Sequence, residues 1–228
     1  VETHRDTISV NDCQILAHYQ FEGDQYIITL ESKEIADFAR PGQFVHLSVS
    51  GMLAMRRPIS IMSIDKENGT FDLLFKIVGE GTKQLAERKI GDVLSVIGPI
   101  GNGFDLTDRK IPLLIGGGVG IPPMIAIAQK IKDNAHYSPY VILGSEVPFP
   151  FDTRPSSLKG FHSSKFHTMP LLEEWRVPCG LASLQDYEGV YKGYVTDLAR
   201  NYLDSLSSND LKEVEIFTCG PNAMLEAV

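Results

Sequence analysis

The rhythm of the sequence changes near residue 105, and that change limits the possible folds more than any single motif does. From Asn11 to about Pro99, short runs rich in β-branched and aromatic residues are separated by turn-forming Gly, Pro, Asn and Asp. The runs are Cys13–His18, Tyr26–Leu30, Phe44–Val49, Ile59–Ile64, Phe71–Val78 and Val93–Ile97. Pro41-Gly42, Glu67-Asn68-Gly69 and Ile90-Gly91-Asp92 mark turns between them. Six strands packed this densely predict a small antiparallel β-barrel, with one helical piece at about Thr82 to Lys89.

Beyond the polar stretch Asp105–Lys110, strands alternate with helices. Ile111–Ile115 is an unbroken apolar run of the kind buried on both faces in a parallel sheet, and a helix is expected from about Pro122 to Lys132. Tyr140–Leu143 and Glu215–Thr218 read as further strands. Leu171–Arg176, Thr196–Leu206 and Asn222–Val228 read as helices, and Val147–Ser164 as a long loop. This is the pattern of a doubly wound α/β domain. At 228 residues the chain suits two modest domains, expected at 1–105 and 106–228.

The formal charge of −8 argues against nucleic acid or an anionic membrane surface as the main partner. No apolar run approaches the roughly 18 residues of a membrane span, and the start Val1–Asp6 is polar, so a cytoplasmic protein is expected. Cys13, Cys179 and Cys219 are widely separated and form neither a disulfide framework nor a metal knot. No metal site is expected from this chain's residues.

Four constellations carry chemistry. Arg57-Pro58-Ile59-Ser60 places a cation suited to a pyrophosphate and a hydroxyl suited to a flavin nitrogen on one extended segment, stiffened by Pro58. The other reading is a barrel strand with an incidental arginine. In Lys76-Ile77-Val78-Gly79-Glu80-Gly81-Thr82 a strand runs into two glycines and a helix start, where backbone amides favour phosphate; Thr82 equally suits a plain cap. Gly116-Gly117-Gly118-Val119-Gly120-Ile121-Pro122 joins a buried strand to a helix like a dinucleotide turn, with proline in place of the last glycine. Cys219-Gly220-Pro221-Asn222-Ala223-Met224 lies at the carboxyl end of another α/β strand, where a thiol suits a nicotinamide site or is simply a small buried hydrophobe.

Together with Pro41-Gly42-Gln43-Phe44-Val45 and Gly98-Pro99-Ile100-Gly101-Asn102-Gly103-Phe104, these motifs resemble the ferredoxin–NADP reductase superfamily from about Cys13 to Val228. Within it they look most like the electron-transfer subunits of type B dihydroorotate dehydrogenase. The resemblance implies an FAD-binding barrel followed by an NAD-binding α/β domain. Arg57 would hold the FAD pyrophosphate, and Pro58, Ile59, Ser60, Leu74, Phe75 and Lys76 would line the flavin, with Gly81 and Thr82 on its phosphates. Gly116, Gly117, Gly118, Gly120 and Pro122 would form the NAD(H) site with Cys219, Gly220 and Pro221; Ser60 and Cys219 would lie nearest the electron-exchanging rings.

The same resemblance implies an FMN-containing catalytic subunit, or another redox protein, as partner in dihydroorotate oxidation. It also implies a [2Fe-2S] cluster whose cysteines lie just beyond Cys-Gly-Pro, so this chain is expected to stop short of them. Three features depart from the pattern: Ile59 in place of an aromatic residue, the insertion Val147-Pro148-Phe149-Pro150, and the segment before Tyr191. A stand-alone NAD(P)H-dependent flavin or ferredoxin reductase, and a cofactor-free binding protein on the same fold, are the alternatives. Glu146, after the second α/β strand, favours NAD through a ribose hydroxyl or is merely an exposed glutamate.

Overall fold

A computed structural model describes residues 7–49, 55–158 and 166–228. The polar start Val1–Asp6 and the end of the long Val147–Ser164 loop lie outside the described residues. The chain divides into two compact units, Val1–Phe104 and Asp105–Val228.

The first unit is a closed barrel with strand order β1-β2-β5-β4-β3-β6. Its strands are β1 (Ser9–Phe21), β2 (Gln25–Glu31), β3 (Phe44–Ser48), β4 (Arg57–Asp65), β5 (Thr70–Lys76) and β6 (Val93–Ile100). β1 closes it: Ser9–Gln14 pair with β6, Gln14–Phe21 pair with β2, and a bulge between Ile15 and Ala17 bends the strand from one partner to the other. Alternate residues turn inward, so Cys13, Ile15, Ile28, Leu30, Val45, Leu47, Phe71, Leu73 and Phe75 share one core. On the outer surface, Asp72 accepts hydrogen bonds from Thr29 at 2.6 Å and from Ser63, tying β5 to both its neighbours.

Two short helices complete this core. In α1 (Lys33–Phe38) the Ser32 hydroxyl accepts the Ile35 amide at 3.2 Å, and Ile35 is fully buried. The sequence reading did not anticipate α1, because six residues give too short a window for helical periodicity. In α2 (Glu80–Ala86) Leu85 joins the core; the helix lies slightly earlier in the chain than expected.

The second unit is a five-stranded parallel sheet ordered β12-β11-β8-β7-β13. The strands are β7 (Ile111–Gly117), β8 (Tyr140–Gly144), β11 (Cys179–Ser183), β12 (Tyr191–Lys192) and β13 (Val214–Cys219). Every residue of β8 and β11 is buried. Helix α3 (Ile121–Ile131) packs mainly on β7, and α5 (Val195–Ser205) buries Val195, Leu198, Ala199 and Tyr202 against β7, β8 and β11. β11 escaped the sequence reading because Cys-Gly-Leu-Ala-Ser has weak intrinsic strand preference, and only burial between two layers makes it a strand.

Between β8 and β11, β9 (Arg154–Pro155) falls within the expected loop and pairs with β10 (His167–Thr168) just beyond it, and α4 (Pro170–Glu174) follows close to the helix expected at Leu171–Arg176. Glu173 anchors it, accepting Ser156 Oγ at 2.9 Å and Ser157 N and Oγ at 2.7 and 2.6 Å. Partial burial works to raise the Glu173 carboxyl. It is outweighed by the hydrogen bonds from Ser157 and Ser156 and by the charge of Arg154, which together hold it below its ordinary value. A short α6 (Ser208–Lys212) and α7 (Asn222–Ala227) flank β13.

Two outcomes follow. Phe71→Ala removes a ring that is 1% exposed and lowers the stability of the barrel by about 3–5 kcal/mol, read by denaturant unfolding. Because the Glu173 carboxylate is favoured by folding, its contribution holds above the unfolded value of about 4.3 and fades as pH falls through the lower folded value. Amide exchange at Ser157, corrected for its intrinsic rate, therefore accelerates on acidification in the native chain. In Glu173→Ala it is already fast and does not respond to pH.

Candidate functional site

In the barrel the chemistry-bearing residues gather where β4 and β5 meet α2. Arg57 opens β4, and its guanidinium lies where a Cβ on Gly81 would stand, so only glycine permits this packing. Its Nη1 donates to the Met55 carbonyl at 2.8 Å, and among the described residues no carboxylate pairs with it. A half-buried cation without a counter-charge, resting against backbone at the first turn of a helix, suits an anionic ligand such as a pyrophosphate. Val78, 83% exposed, and Met55, 74% exposed, offer apolar surface on the segments that flank Arg57 and Gly81.

The remaining barrel candidates separate by face. Ile59 packs against the core, and strand alternation puts Pro58 and Ser60 on the opposite side of β4, with Ser60 half-buried. Phe75 turns inward and stacks on Tyr26 at 5.3 Å between centroids, so a ligand meets Phe75 only through its backbone. Leu74, 3% exposed, and Lys76 alternate with it on the outer face of β5. The Thr82 hydroxyl accepts the amides of Val78 at 2.9 Å and Gly79 at 3.2 Å and donates to the Gly79 carbonyl at 3.0 Å. It shapes the turn, leaving only the backbone of Thr82 for a phosphate.

In the parallel sheet, β7 leads through α3 to β8 on one side, and the chain later returns to place β13 on the other. Strand ends diverge at such a reversal and leave a crevice at their carboxyl edge. The triple glycine and Cys219-Gly220-Pro221 meet there, with Cys219 in register with Gly116. A Cβ on Gly120 would strike the Cys219 carbonyl, and one on Gly117 would come within 2.6 Å of the Met224 sulfur. Gly118 differs: its φ is +55° and nothing lies within 4 Å of the Cβ position, so this backbone faces open space. Pro122 is buried in the first turn of α3 and shapes the helix start. Desolvation raises the half-buried Cys219 thiol, so it stays protonated at neutral pH and packs as a neutral group.

The sequence reading gave no role to Met224, which covers Gly117 and Gly220, and missed the buried pair Ser145 and Ser183 at the ends of β8 and β11. Met224 carried a signal in the apolar helix after Pro221. Ser183 carried none, because β11 itself was not legible.

Comparisons with known proteins bear on both units. Residues 16–104 match the family model described as an oxidoreductase FAD-binding domain. Over 225 residues the chain is 34% identical to the dihydroorotate dehydrogenase B (NAD(+)) electron transfer subunit of Listeria innocua, covering 95% of this chain and 77% of the relative. The chain belongs to this family of electron transfer subunits. The same subunit of Bacillus cereus is 32% identical over 212 residues, covering 89% of this chain and 71% of the relative. Among solved structures, an NADH-dependent reduced ferredoxin-NADP oxidoreductase superposes with a TM-score of 0.74 at 24% identity, covering 94% of this chain and 69% of the other. The ferredoxin reductase of carbazole 1,9a-dioxygenase gives 0.73 at 20%, covering 96% and 64%. These two establish the ferredoxin reductase-like fold.

The contact between Arg57 and Gly81 yields a sharp test. Gly81→Ala forces the guanidinium aside and weakens FAD binding by about tenfold or more, measured by flavin fluorescence titration, while Gly79→Ala, with open space around its Cβ position, retains near-native affinity.

Proposed function

We propose that the chain exchanges electrons between NAD(H), bound at the edge of the parallel sheet, and the redox centre of a partner, by way of FAD held on the barrel. The reaction served is the oxidation of dihydroorotate to orotate in pyrimidine biosynthesis, with an FMN-containing catalytic subunit as partner. The observation that carries this reading is the Arg57 guanidinium packed over Gly81 within a region that matches an FAD-binding domain.

In this reading Arg57 neutralises the FAD pyrophosphate, assisted by the backbone of Gly81 and Thr82. Ser60 and Lys76 present polar groups, and Leu74 an apolar one, to the flavin, while Phe75 and Ile59 stiffen their strands from within the core. Bound FAD supplies the capacity to take two electrons from a nicotinamide and pass them on. Gly118 and its neighbours present backbone to the NAD(H) phosphates. Cys219 and Gly220 give a neutral, uncrowded flank for the nicotinamide, with Pro221 opening the adjoining helix. These residues bind, orient and exclude water; no acid or base is required of them.

The described residues do not fit a [2Fe-2S] cluster. No group of three metal-ligating side chains occurs among them. Cys13 and Cys179 are buried in different units, and desolvation pushes both thiols up to about 12. All three cysteines are free, as suits the reducing cytoplasm where we place the protein. No described helix is long and apolar enough to cross a membrane.

The decisive measurement is anaerobic titration of FAD-loaded protein with NADH, which should bleach the flavin absorbance. Arg57→Ala should weaken FAD affinity about 10- to 100-fold, the worth of one charge-assisted hydrogen-bonding group. Native affinity in that variant would refute the role given to Arg57.

A further inference from the structure

The turns leaving β8 and β11 are fastened side by side on the carboxyl edge of the parallel sheet. Ser183, 3% exposed, donates its Oγ to the Ser145 carbonyl at 2.7 Å and accepts the Gln185 amide at 3.1 Å. In return the Ser145 amide donates to the Ala182 carbonyl at 3.2 Å, and the Ser145 Oγ accepts the Val147 amide at 3.4 Å. Each serine turns its own chain, and Ser183 also bonds across to the other turn. Glu146, exposed, is held between Ser145 and Val147, two residues beyond Gly144. Gly144 is in register with Gly117 of β7, so Glu146 shares the edge that bears the glycine turn.

Within these two turns the charge has one sign. Residues 145–148 and 184–190 contain Glu146, Asp186 and Glu188 and no lysine or arginine. Lys192, at the end of β12, lies outside both turns and faces Asp186 at 3.5 Å. A phosphate on the 2′-oxygen of an adenosine ribose needs a cation there, whereas a free 2′-hydroxyl needs an acceptor, which a carboxylate supplies. Building on the NAD(H) site proposed above, we infer that Ser183 is a positioning residue that holds Glu146 at the ribose and thereby restricts the site to dinucleotides with a free 2′-hydroxyl.

The hydroxyl of Ser183 is suited to this role. Without it the buried Ser145 carbonyl loses its donor and the Gln185 amide its acceptor, so both turns loosen together. Threonine keeps the hydroxyl and the connection; alanine removes only the oxygen.

The test is calorimetric binding of 5′-AMP and of adenosine 2′,5′-bisphosphate to the FAD-loaded full chain and its variants. Native protein should prefer 5′-AMP by about tenfold or more, and Glu146→Gln should remove most of that preference. Ser183→Ala should reduce the preference about threefold or more while Ser183→Thr keeps it, and Glu146→Gln combined with Ser183→Ala should lose no more than Glu146→Gln alone. The ratio between two ligands is insensitive to a uniform loss of folded protein, so general destabilisation does not imitate this result. A native ratio in Ser183→Ala, or in Glu146→Gln, overturns the inference and leaves the dinucleotide site standing. Native protein that binds neither adenosine phosphate overturns the site itself.

Discussion

The close approach of backbone to charged or polar groups, possible only where a side chain is missing, is the constraint on which both halves of the structure depend. Gly120 lets the end of β13 lie against the start of α3, with the Cys219 carbonyl where a Cβ would be. Gly81 does the same for the Arg57 guanidinium in the barrel. Any larger residue at either place moves a strand end or a cation, and with it the surface around it. The two sites share no motif and no topology, yet at each a missing side chain lets a distant group come up against the backbone.

What surrounds these contacts is built to keep them fixed. The barrel holds β4 between β3 and β5, and α2 is seated by Leu85 in the same core as Ile59 and Phe75. Residues that flank the outward-facing positions thus serve as internal struts, and that division follows from the two-residue period of a strand. In the parallel sheet, burial of β8 and β11 on both faces fixes the strand ends, and buried serines carry the order into the turns beyond them. Precision at the edge originates in the packing beneath it.

Much of the fold was legible because its signals are local. Runs such as Ile27-Ile28-Thr29-Leu30 and Leu113-Leu114-Ile115 announce strands by composition, and the glycines after Ile115 announce a turn before a helix. The same locality explains the failures. Ser32 and Ile35 start a helix too short to show a period, and β11 contains glycine, alanine and serine that become a strand only between layers. For the candidate site, Arg57, Gly81 and the triple glycine could be named from context. Which of their neighbours face outward could not: Ile59 and Phe75 sit beside the candidate residues in sequence and point into the core.

The sequence by itself determined the division into a β-rich and an α/β half, the residue types suited to two dinucleotides, and the family, because these reside in composition, spacing and motif. Only the tertiary structure decided that Arg57 rests on Gly81, that Gly120 meets Cys219, and that Ser183 reaches across to Ser145. Those pairs lie 24, 99 and 38 positions apart in the chain. No local pattern encodes such contacts. They arise when strand register and helix packing bring distant backbone within van der Waals or hydrogen-bond reach, and the chemistry of the site resides in that proximity.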